Sequence, residues 1–359
     1  MGAVDVLILL GALVVILAGS ELFTNGIEWF GRKLNLAEGA VGSVLAAVGT
    51  ALPETMIPVV AIVTSAGTLS AETSQGVGVG AILGAPFMLA TLAMFVTGVA
   101  VMYQGRRRMS RDRLLVDPAV VRKDVGYFFV AYTVAVLAAF LPTGAGWARA
   151  AVAVVLLLIY ANYVRRHFEA DPSIDASDLA PLRMHRLDVP GHRRDSSVPR
   201  LRVVGLQVLV SVGLIIGGAV AFVGAVEELS TSMGLPAAVL ALVIAPIATE
   251  LPEKFNSVIW VRQAKDGLAL GNITGAMVFQ SCIPTVVGLL FAANAWSIDF
   301  ASHESLLAFA SAVIAFISMG AVFLPLLRGR PLTGRGLLVG GGFYVLYLAL
   351  VVVVVAAGI

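Results

Sequence analysis

The chain has 359 residues, of which 59% are hydrophobic and only 13% charged, with a mean hydropathy of +0.94. A soluble domain carries about 25% charged residues, so an ordinary water-soluble fold is excluded and most of the chain belongs in lipid. The single cysteine, Cys282, excludes an internal disulfide framework, and the net charge of +2 says less as a sum than in its distribution.

A spanning helix needs about 20 apolar residues. Ten stretches qualify in chain order: 4–30, 36–66, 75–103, 125–142 and 146–164, then 202–231, 236–264, 267–296, 303–327 and 334–358. Several exceed the minimum, as tilted or broken helices do, and the short alternating strands of a β-barrel are not visible. The N-terminus is the first span rather than a cleavable signal, because Met1 to Val6 carries Asp5, no basic residue, and runs on to Glu21 and Glu28. The expected fold is an all-α polytopic membrane protein of ten transmembrane helices. It divides into a first repeat at 1–164, a linker at 165–201 and a second repeat at 202–359.

The linker is rich in Arg and Asp and holds Pro172, Pro181, Pro190 and Pro199, a composition that builds little core of its own. Charge sets the orientation. Of the 24 Lys and Arg, 22 fall in odd-numbered connections, one (Arg149) in an even-numbered connection and one (Lys254) inside a span. The positive-inside rule then places odd connections in the cytoplasm and both termini outside, as in a multi-pass protein of the cell membrane.

The second and seventh spans carry Thr50-Ala51-Leu52-Pro53-Glu54 and Thr249-Glu250-Leu251-Pro252-Glu253, 199 residues apart. At that offset Glu28 falls opposite Glu227, Phe23 opposite Phe222 and Leu36 opposite Leu235. Further on, Gly76, Gly80 and Gly84 recur as Gly267, Gly271 and Gly275 at an offset of 191, so one connection is eight residues shorter in the second half. Equivalent spans lie five apart, an odd number, so the halves cross the membrane in opposite directions. This is an inverted repeat, an arrangement with a midplane site.

An ionisable residue inside a span is a functional candidate by default. Proline removes a backbone donor and frees carbonyls upstream, which protein, water or an ion must satisfy at membrane depth. Glu54 with Thr50, and Glu253 with Thr249, share a helix face at i,i+4. Carboxylate, hydroxyl and carbonyl oxygens together suit calcium or another hard cation. Glu250 is a further candidate. Glu21, Glu28, Glu227 and Glu228 are secondary ones, expected at an interface rather than in a cavity. The glycine rows are expected to let spans 3 and 8 approach the broken helices closely.

These motifs resemble the cation/calcium exchanger superfamily, including the sodium/calcium exchangers, over nearly the whole chain. Its repeats each hold a Gly-Thr-Ser-x-Pro-Glu element followed by a Gly-Asn-x-x-Gly-Ser-Asn helix. The first repeat here retains Gly49-Thr50-Ala51-Leu52-Pro53-Glu54, the second Ala248-Thr249-Glu250-Leu251-Pro252-Glu253. The resemblance implies that Glu54 and Glu253 are the central cation ligands, with Thr50 and Thr249 lining the site. The family serine after threonine is Ala51 and Glu250 here, and the helix serine is Ala85 and Ala276. The amide or carboxylate one turn beyond is Leu89 and Gln280, and the Gly-Asn asparagine survives only as Asn272, opposite Ala81. Those positions furnish much of the family's sodium coordination, so the resemblance carries the divalent-cation site further than the sodium sites.

Lys254 follows Glu253 directly. Either it stands in for a bound monovalent cation, or it pairs with Glu250 for insertion alone. The expected function is antiport of a divalent cation, calcium first, for sodium or protons. The rivals are a passive cation pathway and a family member with a non-transport membrane role. Neither a cofactor motif nor a nucleophile-base constellation is present, so no enzyme activity is expected. The partners implied are the bilayer and inorganic cations, with no nucleic acid.

Overall fold

The computed structural model describes residues 3–33, 52–64, 71–105, 110–168, 181–187, 199–234, 239–243, 251–262 and 264–356. Apolar runs without period-two alternation become helices here, and no strand occurs among the described residues beyond one isolated bridge, Arg113 to Thr333. The helices are α1 (Ala3–Lys33), α2 (Leu52–Thr64) and α3 (Ala71–Met88, continuing through a π-helical turn, Leu89–Ala93, into Met94–Gln104). They continue with α4 (Pro118–Leu137), α5 (Gly146–Phe168), α6 (Leu201–Met233) and α7 (Leu251–Arg262). The last are α8 (Asp266–Phe291), α9 (His303–Leu327) and α10 (Val339–Ala356), the last preceded by a short turn, Gly334–Leu337.

Eight of these are long and apolar enough to cross a membrane. The other two, α2 and α7, are described over 13 and 12 residues, and the rest of the second and seventh expected spans lies partly outside the described residues. The fourth span starts earlier than hydropathy suggests. Asp117 caps α4 by accepting from Ala119 N at 2.8 Å, with Pro118 in the first turn, a helix-start signature.

Helices α3 and α8 form the centre. Of the residues in each spanning window 78% are buried, against 17–50% in the other six. One apolar cluster joins them to α4, α5, α9 and α10. A second is built from α1 and α6 and rests on α2 and the start of α3, through residues such as Ile16, Phe222, Ile57 and Val77. Within it α1 and α6 run antiparallel along their length. Gly19 lies against Ser211 and Ile215, Gly218 against Ala12 and Ile16, and Gly26 against Gln207 and Val208.

The connections sort by charge. Leu114 N donates to Leu332 O at 2.9 Å, Gly334 N to Asp112 O at 2.7 Å and Leu115 N to Asp266 Oδ2 at 2.8 Å, so the basic connections α3–α4, α7–α8 and α9–α10 meet at one end. At the opposite end, Ile298 N donates to Ala139 O at 3.0 Å. Arg149, the exception to the charge pattern, is buried there. Its guanidinium donates to Ala293 O, Leu141 O and Ser297 Oγ at 2.7–2.9 Å. It therefore acts as a loop clamp rather than a free surface charge.

Part of the linker packs. Leu182 is buried with Trp29, Val203 and Val204. Asn25 Oδ1 accepts from Arg183 N at 2.9 Å and from Gln207 Nε2 at 3.0 Å, while Met184 N donates to Gln207 Oε1 at 2.9 Å. Residues 181–187 thus strap α1 to α6. Composition gave no sign of this, because the polar partners lie on the helices and not in the linker.

Candidate cation site

Glu54 is the third described residue of α2 and Glu253 the third of α7. Their side chains and that of Lys254, together with all of Thr50, Thr249 and Glu250, lie outside the described residues. The helices that carry them are placed: α2 packs against both α3 and α8, and α7 packs against the same two. On α2, positions 54, 58 and 62 share a face. A Cβ added to Gly78 of α3 would lie 2.9 Å from Ile62 Cγ1 and 3.3 Å from Pro58 O. On α7, positions 253 and 257 share a face, and buried Ser257 Oγ donates to Ala269 O of α8 at 3.1 Å. Pro58 and Ser257 are separated by 199 residues, Gly78 and Ala269 by 191, the two offsets found between the repeats. Pro58 and Ser257 therefore hold equivalent places in the α2–α3 and α7–α8 contacts.

Gln280 is on α8, 1% exposed, and its Oε1 has no hydrogen-bond partner among the described residues. Asn272 Nδ2, on the same helix, also lacks one among the described residues. Leu89, the first-half counterpart of Gln280, opens the π-helical turn of α3, a distortion often found at functional sites. The carbonyl of Ala90 in that turn accepts from Ser318 Oγ of α9 at 2.6 Å. Helix α8 has no such turn.

The expected close approach of the glycine rows to the broken helices lies partly outside the described residues. Among the described residues, α3 approaches α2 closely at Gly78, off the row. Gly76 and Gly80 line a cavity of about 250 Å³ together with Val136, Trp296 and Glu304, and a Cβ on Gly267 or Gly271 would meet no atom of the described residues within 4 Å. Three of the secondary acids, Glu21, Glu227 and Glu228, sit at interfaces or on the surface. Glu227 accepts from Ser74 Oγ of α3, Glu21 pairs with Arg183 at 2.8 Å, and Glu228 is exposed. The Glu28 side chain lies outside the described residues.

One buried polar cluster has no counterpart in the sequence reading. Asp124 of α4 accepts from Thr274 Oγ1 of α8 at 2.6 Å and Tyr163 OH of α5 at 3.3 Å, and lies 3.2 Å from His167 Nε2. The Asp117-Pro118 helix start was the available signal, since it places Asp124 two turns inside a helix instead of in a connection.

The sodium/calcium exchanger protein family matches residues 4–167 and 204–356. An uncharacterised membrane protein of Methanocaldococcus jannaschii, MJ0091, is 24% identical over 283 residues, 78% of this chain and 79% of that protein. A protein named antiporter CaxA from Alkalimonas amylolytica is 25% identical over 306 residues, 84% of this chain and 85% of that protein. Among solved structures, the H+/Ca2+ exchanger CAX superposes with a TM-score of 0.70 at 17% identity, covering 96% of this chain and 81% of its own. The sodium-calcium exchanger NCX_Mj superposes with a TM-score of 0.54 at 17% identity, covering 97% and 99%.

Proposed function

Because the chain belongs to the sodium/calcium exchanger protein family, we propose that it is a secondary active transporter exchanging a divalent cation, calcium first, for sodium or protons by alternating access. One observation carries the reading: each Leu-Pro-Glu helix, α2 and α7, lies against both central helices, α3 and α8. Glu54 and Glu253 would supply the carboxylates between them, with Thr50, Thr249 and Glu250 contributing oxygens. The buried Oε1 of Gln280, without a hydrogen-bond partner among the described residues, is a further acceptor in the same helix set. Hard cations take six to eight such oxygens.

The contacts of the two halves support an inverted repeat. Helices α1 and α6 are antiparallel and meet through residues related by the 199-residue offset, and the α2–α3 and α7–α8 contacts fall at positions related by the 199- and 191-residue offsets. The separate apolar cluster under α1 and α6 supports movement of that pair against the rest. The basic connections, gathered at one end, support a cytoplasmic face there and termini outside.

The test is uptake of radiolabelled calcium into liposomes under imposed sodium or proton gradients, for wild type and Glu54→Gln. Wild type accumulates calcium under at least one gradient, and the variant does not. Uptake under neither gradient would reject calcium as the substrate.

A further inference from the structure

Helices α4 and α5 each pack on α8 and leave between them a groove of about 660 Å³ open to the outside of the bundle. Its body is apolar: Val130 of α4 with Val155 and Leu158 of α5, all exposed. Gly126 leaves open space in its wall, with no atom of the described residues within 4 Å of an added Cβ. Its mouth is cationic. Arg122 and Lys123 at the start of α4 and Arg166 at the end of α5 line it at the end of the bundle where the basic connections gather.

These three cations have no carboxylate partner among the described residues. Arg122 Nη2 donates to Leu326 O at 2.9 Å and Lys123 Nζ to Arg166 O at 3.5 Å, while the Arg166 guanidinium has no polar partner among the described residues. The adjacent acid, Asp124, is 1% exposed and faces away, bound to Thr274, Tyr163 and His167. A bridge from Asn162 Nδ2 to Tyr127 OH at 2.6 Å ties the groove's two walls together.

The depth fits a lipid. At about 1.5 Å per helical residue, Arg122 to Val130 and Arg166 to Val155 span roughly 12 and 16 Å, close to the ~15 Å hydrocarbon depth of one leaflet. Basic pockets between spanning helices take anionic headgroups. We propose that this groove is a binding site for an anionic phospholipid, its phosphate held by Arg122, Lys123 and Arg166 and one acyl chain laid along Gly126, Val130, Val155 and Leu158. The site is independent of the transported ion.

The test uses the purified full chain in neutral detergent, with native mass spectrometry of bound phosphatidylglycerol against phosphatidylcholine. Wild type retains phosphatidylglycerol preferentially. At roughly fivefold per cation, the Arg122→Gln/Lys123→Gln/Arg166→Gln variant weakens it on the order of a hundredfold, to the level of phosphatidylcholine. Arg166→Glu alone, which breaks no guanidinium contact, weakens it by at least the single-cation factor. Val155→Trp lowers retention with all charges intact. A control pair at the same end, Arg328→Gln/Arg330→Gln, leaves the preference unchanged. The proposal is overturned if the triple variant keeps the wild-type preference, or if the control pair reduces it equally, which would mean diffuse attraction. It is also overturned if wild type is a dimer whose interface closes the groove.

Discussion

Ile215 of α6 fills the notch over Gly19 of α1, and Ile16 of α1 fills the equivalent notch over Gly218 of α6. A Cβ on Gly19 would lie 2.9 Å from Ile215 Cγ1 and 3.1 Å from Ser211 O, and one on Gly218 would lie 2.7 Å from Ile16 Cγ1 and 3.1 Å from Ala12 O. Ile16 and Ile215, Gly19 and Gly218, and Ala12 and Ser211 are each separated by 199 residues, as are Glu54 and Glu253. Two equivalent helices running in opposite directions thus use the same positions against each other.

That reciprocity predicts matched costs. Gly19→Val and Gly218→Val push a branched side chain into a filled notch beside backbone, and each destabilises by about 1–3 kcal/mol. Gly217→Val, on the open side with no described atom within 4 Å, is close to neutral. Thermal unfolding in detergent compares the three. A large cost at one notch and none at the other would break the equivalence.

Much of this was legible in the sequence. Hydropathy located the long helices, and the 199-residue offset between the two Leu-Pro-Glu segments recurs in the α1–α6 contacts. The offset also contained Ile16/Ile215 and Gly19/Gly218, but apolar residues in an apolar span carry no contrast, so their pairing became visible only through packing. Asp124 was hidden for another reason: hydropathy places a helix start where apolar residues begin, whereas the Asp117 cap and Pro118 set it earlier. The Asn25–Gln207 bridge was hidden because it depends on backbone groups of a linker whose composition reads as unstructured.

The bridge makes a prediction of its own. Asn25 and Gln207 are buried, and together they engage Pro181 O, Arg183 N and Met184 N. Removing either leaves buried partners unpaired, at about 1–3 kcal/mol. Asn25→Ala and Gln207→Ala release the strap, and trypsin then cuts after Arg183 and Arg186 several times faster than in wild type. Equal cleavage rates would mean that Leu182 alone holds the segment.

Lys254 can be tested through coupling. If its ammonium takes the place of a monovalent ion, Lys254→Met introduces or strengthens sodium dependence of calcium flux and shifts its pH profile. If it serves only to neutralise Glu250 during insertion, expression falls while the ion dependence stays as in wild type. Flux in liposomes across sodium and pH series separates the two.

Gln280 separates function from packing most cleanly. Its Oε1 is buried without a hydrogen-bond partner among the described residues, and such an orphan acceptor costs stability of about 1–3 kcal/mol. Its counterpart in the first half, Leu89, is apolar and fully buried, so a leucine of similar size is already accommodated at the equivalent position. Gln280→Leu forfeits no hydrogen bond at Oε1 to a described residue and leaves thermal stability unchanged or raised by about 1 kcal/mol. If the oxygen is kept for a cation, the same substitution weakens calcium binding about tenfold, the factor that corresponds to about 1.4 kcal/mol. Isothermal titration and thermal unfolding on one preparation read both quantities. Lower affinity with undiminished stability assigns the oxygen to the ion, whereas unchanged affinity removes Gln280 from the site.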